Sequence, residues 1–522
     1  MFVFSLAVSL LLSSLCDVRP VVGLVDAVRD SSLFNLDSLV VELKDDNFTR
    51  IHPVAPLCPW VVLFYNHGCG FCRSYSPTYS SFATGLREEH GEDPLQMATA
   101  AAVDCAEEVE FCKRYDIKFV PRTYFFYPKG ECKSIRECGA LPLEHVAFEE
   151  AHMDAHDLLL ETNLLINKYM QFNSTLKERC MDMHFKLYAS KEEMIKKHLS
   201  SSPSKAAEVF VETTELHVSD IAGAFFSTMH NEVPLFGFVP SEQLSALKDF
   251  LLLVRDVLPT LRADAVLNAL ESLKKGDSFS VVEWQKMVVD AAIPFEGTAR
   301  NVQWRTCRGS AVHYRGFPCG MWLLYHTLTV NAPAERKPLK VIQNYVRYFF
   351  SCENCRDHFL QFQFNPDDDA VIQLWRAHNE VNARLANVVE GADPLVPKRQ
   401  FPPRDMCPDC YEPAGSFNTA KVVAFMKQRY LWRRGVSLST KPAHGNAGAV
   451  GLDNGGANEN VKRDKMKESV NAKWSTRKPH GRDANKSGGS YTFLFFNMFI
   501  VGMVFFLGSA DILRKIARAK EK

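Results

Sequence analysis

Three pairs of cysteines stand three residues apart: Cys69-Gly-Phe-Cys72, Cys352-Glu-Asn-Cys355 and Cys407-Pro-Asp-Cys410. At that spacing two sulfurs meet with little backbone movement, so each pair could cycle between dithiol and disulfide or supply half of a metal site. Cys69 has the clearest context. It follows Trp60-Val-Val-Leu-Phe-Tyr65, a short β-rich apolar run that predicts a buried strand, and a helix is expected to start at the motif. The partial positive charge of a helix N-terminus stabilises a thiolate on its first cysteine. Cys69 is then the attacking sulfur and Cys72 the resolving one. A zinc half-site is disfavoured at 69/72, since no second Cys/His pair stands at finger spacing.

The second constellation lies further on. Trp322 and His326 are spaced i, i+4, and Cys355 and His358 i, i+3; Trp375, His378, Asn379 and Asn382 fall on one helical stripe. Together they offer aromatic walls and amide or imidazole donors for a flat heterocycle, with a dithiol beside it. Each residue alone is more simply a core residue. A four-cysteine zinc site from 352/355 and 407/410 competes, but its 51-residue separation is long for a zinc ribbon and it leaves the aromatics unexplained.

These motifs need elements to hold them. Residues 24–150 read as α/β, with a second strand at Tyr124-Phe-Phe-Tyr127 just after Pro121 and a turn at Pro128-Lys-Gly130. Residues 151–297 turn helical, with Leu244, Leu247, Phe250, Leu251 and Val254 at helical spacing and no chemical constellation, so they read as a scaffold. Residues 298–434 are helical and rich in aromatics, with Ile342, Tyr345, Val346, Phe349 and Phe350 on one face. Residues 435–489 are rich in Gly, Asn, Lys and Ser and read as a flexible linker.

The first motif set resembles thioredoxin and disulfide isomerase domains: strand, CxxC, helix, then Ile117-Lys-Phe-Val-Pro121 leading into a strand. The resemblance implies a cis peptide at Pro121 beside the redox pair, and a structural disulfide between Cys105 and Cys112. Leu63 stands where that family has a buried acid, and Gly68 where it has Trp. No pairing is assigned to Cys58, Cys132, Cys138 and Cys180. The second set resembles the Erv-type FAD sulfhydryl oxidase domain, a small helical bundle. That likeness implies FAD contacts at Arg315, Trp322, His326, Asn354, His358, Trp375, His378, Asn379, Asn382, Lys398 and Phe401, the last standing where Trp is common. It also implies a redox disulfide Cys352–Cys355 with Cys355 next to the flavin, and flanking disulfides Cys307–Cys319 and Cys407–Cys410. The order of the parts resembles the quiescin sulfhydryl oxidases, in a form with a single thioredoxin domain as in plant and protist members. This implies that 151–297 is a degenerate Erv-like bundle. The activity implied is oxidation of protein dithiols to disulfides, with electrons passing through Cys69/Cys72, Cys352/Cys355 and FAD to molecular oxygen, giving hydrogen peroxide. No metal is implied.

The totals agree with a secretory protein. The chain has 522 residues, enough for roughly two to four domains. Its formal net charge is zero, which gives no basic field for nucleic acid. Residues 1–23, with an apolar run from Phe2 to Leu15, read as a signal peptide, and the 14 cysteines beyond it suit a disulfide-forming compartment. Residues 490–510 read as a transmembrane helix and 511–522 as a basic cytoplasmic tail, placing the body on the lumenal or extracellular side, a single-pass type I arrangement. Asn47, Asn173 and Asn485 head glycosylation triplets suited to that side. The expected fold class is a thioredoxin α/β domain followed by all-α bundles and a membrane helix. The expected partners are reduced protein substrates, oxygen and a membrane; oligomeric state is not legible.

Overall fold

The computed structural model describes residues 31–432, apart from 45–47, 89–93, 129–142, 171–173, 202–212, 237–240, 273–279, 300 and 389–390. The expected signal peptide, linker, membrane helix and tail lie outside the described residues, as do Asn47, Asn173, Asn485, Cys132 and Cys138. Among the described residues, no helix is long and apolar enough to cross a membrane.

A five-stranded sheet forms the first part, in the order β1–β3–β2–β4–β5: β1 Val41–Glu42, β2 Trp60–Tyr65, β3 Thr99–Asp104, β4 Arg122–Tyr127 and β5 Glu144–Ala147. β3 runs parallel to β1 and β2, while β4 runs antiparallel to β2 and β5. β2 is buried at every residue, which is why it reads as an unbroken apolar run rather than an alternating one. α1, Gly70–Gly85, leaves the end of β2, and α2, Val109–Arg114, follows β3.

The stretch expected as one helical spacer divides in two. α3, Ala155–Tyr169, begins at Asp154, whose side chain accepts from the Asp157 N–H, and buries Leu158, Thr162 and Ile166 at four-residue spacing. It packs on α1 and β4. α4, Ser174–Ser201, lies against β1. A Cys58–Cys180 disulfide joins it to the loop before β2, and its Lys191 ammonium donates to the carbonyls of Phe34 and Val40. These two helices therefore belong to the sheet's packing. The reason is local: an edge strand two residues long leaves sheet surface that a helix must cover.

α5, Val218–Ser227, belongs to the helical part. It is buried along its length and continues through a π turn, Thr228–Glu232. α6 Ser241–Val257, α7 Ala263–Ser272 and α8 Val281–Asp290 follow, then α9 Gly316–Asn331, α10 Pro338–Phe349, α11 Glu353–Leu360, α12 Ala370–Ala386 and α13 Thr419–Arg429. α5 lies so close to α9 that a Cβ on Gly320 would sit 2.9 Å from the Ala224 Cβ. α6 packs on α10, where Phe250 and Tyr345 stack at 4.4 Å. α10 buries Leu339, Ile342, Tyr345, Val346 and Phe349, the face read from its periodicity. The helix ends at Phe349, so Phe350 caps it.

Candidate active site

β2 ends at Tyr65, and the chain turns through Asn66, His67 and Gly68 to Cys69, the N-cap residue of α1. Cys69 and Cys72 are both buried and not bonded to each other. The Cys72 N–H points at the Cys69 sulfur. Burial pushes the Cys69 thiol up, but hydrogen bonds from Cys72 and the nearby Arg73 guanidinium outweigh it and hold this thiol below its ordinary value. Cys72 is driven well above the ordinary range by burial and by its neighbour Cys69. The two thiols are thus pushed in opposite directions, Cys69 toward the thiolate and Cys72 toward the protonated form.

Leu63, in the position of the usual acid, is buried. An acid reaches this region from another strand. Asp104 closes β3, pairs with His67 at 2.7 Å and contributes to raising Cys72. Burial alone would lower the His67 pKa, but Asp104 outweighs it and raises it. The only sequence sign of Asp104 is its place at the end of a strand-like run.

The second CxxC pair faces the first. Cys352 and Cys355 form a disulfide at the start of α11, and the Cys69 sulfur lies 2.7 Å from the Cys352 sulfur. Peptide Val120–Pro121 is cis. Val120 donates its N–H to the Ser351 carbonyl at 2.9 Å and accepts from the Glu353 N–H at 3.4 Å, so the Cys352 segment lies along it as an added strand. Around this contact, Arg122 meets Glu353 at 2.7 Å, the Arg356 guanidinium lies 3.8 Å over the Phe119 ring, and Arg73 donates to the Gly391 carbonyl. Gly391 has φ +71°, and a Cβ there would meet the Ser74 nitrogen at 2.6 Å. Glycine is what allows this approach.

The helical part also holds an aromatic wall. Trp322 and His378 stack at 4.1 Å with an interplanar angle of 4°. Phe359, one turn after Cys355 on α11, packs against Trp322 with ring centroids 6.0 Å apart. His326 is fully buried and bonds His378 at 3.0 Å; burial holds its pKa to about 3, so it is neutral. Its Nδ1 has no hydrogen-bond partner. Lys398 is solvent-accessible yet hemmed in by protein; that desolvation, with Arg315 and Arg73 nearby, holds its ammonium to about 8. His358 anchors its ring on the Asn354 carbonyl. Trp375 and Asn379 turn their polar groups to the Phe401 backbone: the indole N–H and the Asn379 amide both donate to the Phe401 carbonyl, and the Asn379 oxygen accepts from the Phe401 N–H. These two fasten the segment around Phe401, whose ring stacks on His378. Asn382 is buried one turn beyond His378.

Among the described residues, the remaining cysteines are tied locally. Cys105 bonds Cys112, Cys307 bonds Cys319, and Cys407 bonds Cys410. The last leaves no thiolates at 407/410 for a zinc site shared with 352/355.

Three family models match consecutive stretches: Thioredoxin over residues 39–147, the Quiescin sulphydryl oxidase pseudo-Erv domain over 217–305, and the Erv1 / Alr family over 319–402. Sulfhydryl oxidase 2 of Mus musculus is 25% identical over 76% of this chain and 73% of its own length. Sulfhydryl oxidase 1 of Cavia porcellus is 33% identical over 39% of this chain and 36% of its own. A solved structure, the sulfhydryl oxidase fragment of human QSOX1, aligns with 41% of this chain and 96% of its own at 30% identity, with a TM-score of 0.37. A thioredoxin fold followed by Erv-like helical domains makes this protein a disulfide-introducing thiol oxidase. The pseudo-Erv match between the other two, with the sulfhydryl oxidase relatives, specifies it further: the chain belongs to the quiescin sulfhydryl oxidases.

Proposed function

We propose that the protein oxidises dithiols of other proteins by an internal disulfide relay that ends on FAD and molecular oxygen. The observation that carries this reading is the 2.7 Å approach of the Cys69 sulfur to Cys352. Substrate thiolate attacks Cys69 of the oxidised first pair; the substrate disulfide leaves and Cys69 and Cys72 become a dithiol. The Cys69 thiolate then attacks Cys352, Cys355 leaves as a thiolate, and Cys72 resolves the mixed disulfide, so two electrons have moved to the second pair. FAD, when bound, would carry those two electrons on to oxygen, giving hydrogen peroxide.

The residues present suit a flavin nucleotide. The Trp322–His378 stack is a flat wall, the orphaned Nδ1 of His326 is a buried polar atom behind it, and Arg315 and Lys398 suit a negatively charged diphosphate. In this reading Asn354, His358, Asn382 and the Phe401 segment complete the site, and Cys355 stands next to the flavin. The body acts on the lumenal or extracellular face of the secretory route. Residues 1–23 target it there and 490–510 anchor it with 511–522 in the cytoplasm. The parts divide at 24–150, 151–297, 298–434 and 435–489, although α3 and α4 pack with the first.

Separate measurements on the purified lumenal part test this. Flavin absorption bands are expected; their absence overturns the cofactor. Cys69→Ser should abolish rapid oxidation of reduced proteins yet spare slow oxidation of dithiothreitol, which reaches Cys352–Cys355 directly, while Cys355→Ser should abolish both. Parent-rate oxidation of proteins by Cys69→Ser overturns the relay.

A further inference from the structure

One acid in the pseudo-Erv part touches both redox loops. Glu232 ends the π turn after α5 and is 3% exposed. Its Oε1 accepts from the Asn66 side-chain amide at 3.0 Å, and its Oε2 accepts from the Ser351 N–H at 2.7 Å. The Ser351 hydroxyl donates to Oε1 at 3.0 Å. Ser351 immediately precedes Cys352. Asn66 lies three residues before Cys69, and it shapes that loop as well: its side-chain oxygen accepts from the Gly68 N–H at 2.8 Å, and its carbonyl accepts from the Cys69 N–H at 2.9 Å.

A carboxyl group taken out of water is costly unless its oxygens find donors. Here the donors come from two distant parts of the chain, Asn66 and Ser351. Two bonds go to Ser351, so the group is anchored on the helical side and aimed before the thioredoxin side arrives. The remaining lone pair receives Asn66. We propose that Glu232 is a positioning residue for the internal exchange, a fixed acceptor that seats the Cys69 loop so that its sulfur faces Cys352. This rests on the relay proposed above. The exchange it serves forms the Cys69–Cys352 bond and breaks Cys352–Cys355; the proton lost from Cys69 balances the thiolate gained by Cys355. π turns inside helices are frequent at functional sites, and Glu232 is the last residue of this one.

The test uses the full chain in a Cys72→Ser background, where the Cys69–Cys352 mixed disulfide cannot be resolved. Its formation is followed after rapid alkylation by peptide mass spectrometry. Glu232→Gln presents an NH2 group to the Ser351 N–H or to Asn66, so one side of the clamp is lost. Mixed-disulfide formation should slow about tenfold, the scale of one net hydrogen bond. Asn66→Ala, which leaves the helical part untouched, should slow it similarly and serves if Glu232→Gln does not fold. Dithiothreitol oxidation by Glu232→Gln in a Cys69→Ser background should stay within about twofold of Cys69→Ser alone, since that route bypasses the clamp. An unchanged exchange rate overturns the assignment. So does an equal loss in both assays, which would mark Glu232 as ordinary support for the bundle. If the parent Cys72→Ser chain yields no Cys69–Cys352 species, the relay itself fails and the clamp with it.

Discussion

Val120 pairs with Cys352 as neighbouring strands would, its N–H on the Ser351 carbonyl and its carbonyl facing the Glu353 N–H. The backbone ahead of the cis proline therefore holds the Cys352–Cys355 disulfide beside Cys69, the Cys69 and Cys352 sulfurs 2.7 Å apart. In the proposed relay an incoming protein dithiol would attack the same sulfur, Cys69, so the two encounters would exclude each other and the thioredoxin part would have to leave Cys352 to meet a substrate.

The contact must accordingly be reversible, and its rim should be weak. Arg122 and Glu353 meet at 2.7 Å but remain 32% and 24% exposed. Such a pair contributes modestly and is screened by salt. Arg122→Glu should slow oxidation of reduced proteins roughly two- to fivefold at low salt. Adding Glu353→Arg should restore most of the loss, and high salt should shrink the difference. Stopped-flow turnover at two ionic strengths checks it; no recovery in the double variant would mean the pair does not orient the contact.

The Cys58–Cys180 bond closes 122 residues of separation and holds α4 on the sheet. Replacing both cysteines by Ala should lower the stability of the thioredoxin part by about 2–5 kcal/mol. Calorimetry should show an earlier transition, while dithiothreitol oxidation at low temperature is retained. Loss of both together would tie α4 to the flavin site.

The aromatic wall makes its own prediction. Trp322→Ala removes the larger plane of the stack with His378. Flavin affinity should fall about tenfold or more, since stacking and apolar contact are lost together. Flavin content per chain after dialysis reports it, and full retention would make Trp322 a packing residue only.

What could be read from the residues was whatever repeats or clusters locally. The β2 run is continuously apolar, the stripe of α10 is periodic over a few turns, and the CxxC pairs carry their chemistry in their spacing. The Cys58–Cys180 bond was not legible, because it depends on which surface α4 covers, and an amphipathic pattern states only that a face is covered. Glu232 was less legible still. It is an acid at the end of a largely apolar helical stretch, with partners 166 and 119 residues away. Read alone, the helical stretch around it is scaffold. Asp104 escaped notice for a similar reason: the neighbour strand supplies an acid where β2 carries Leu63.

Glu232 also gives a pH signature that separates it from a neutral hydrogen-bonding residue. Burial raises its pKa to about 7, against hydrogen bonds from Ser351 and Asn66 that lower it. In the unfolded chain a glutamate titrates near about 4.3. The folded pKa is the higher one, so the folded protein holds a proton that the unfolded chain has released. This contribution to stability is complete below the unfolded value and is lost as pH rises through about 7. The titratable groups that face it are Tyr325 from α9 and Tyr345 from α10, both driven well above the ordinary tyrosine range by burial. Neither titrates in this window. Glu232→Gln has no proton to lose, so the melting-temperature gap between parent and variant should move in the variant's favour by a few degrees between about pH 5 and pH 8. Thermal melts at those two values decide it. A gap that does not change with pH would mean Glu232 is already ionised in its buried setting, held by the Ser351 and Asn66 donors.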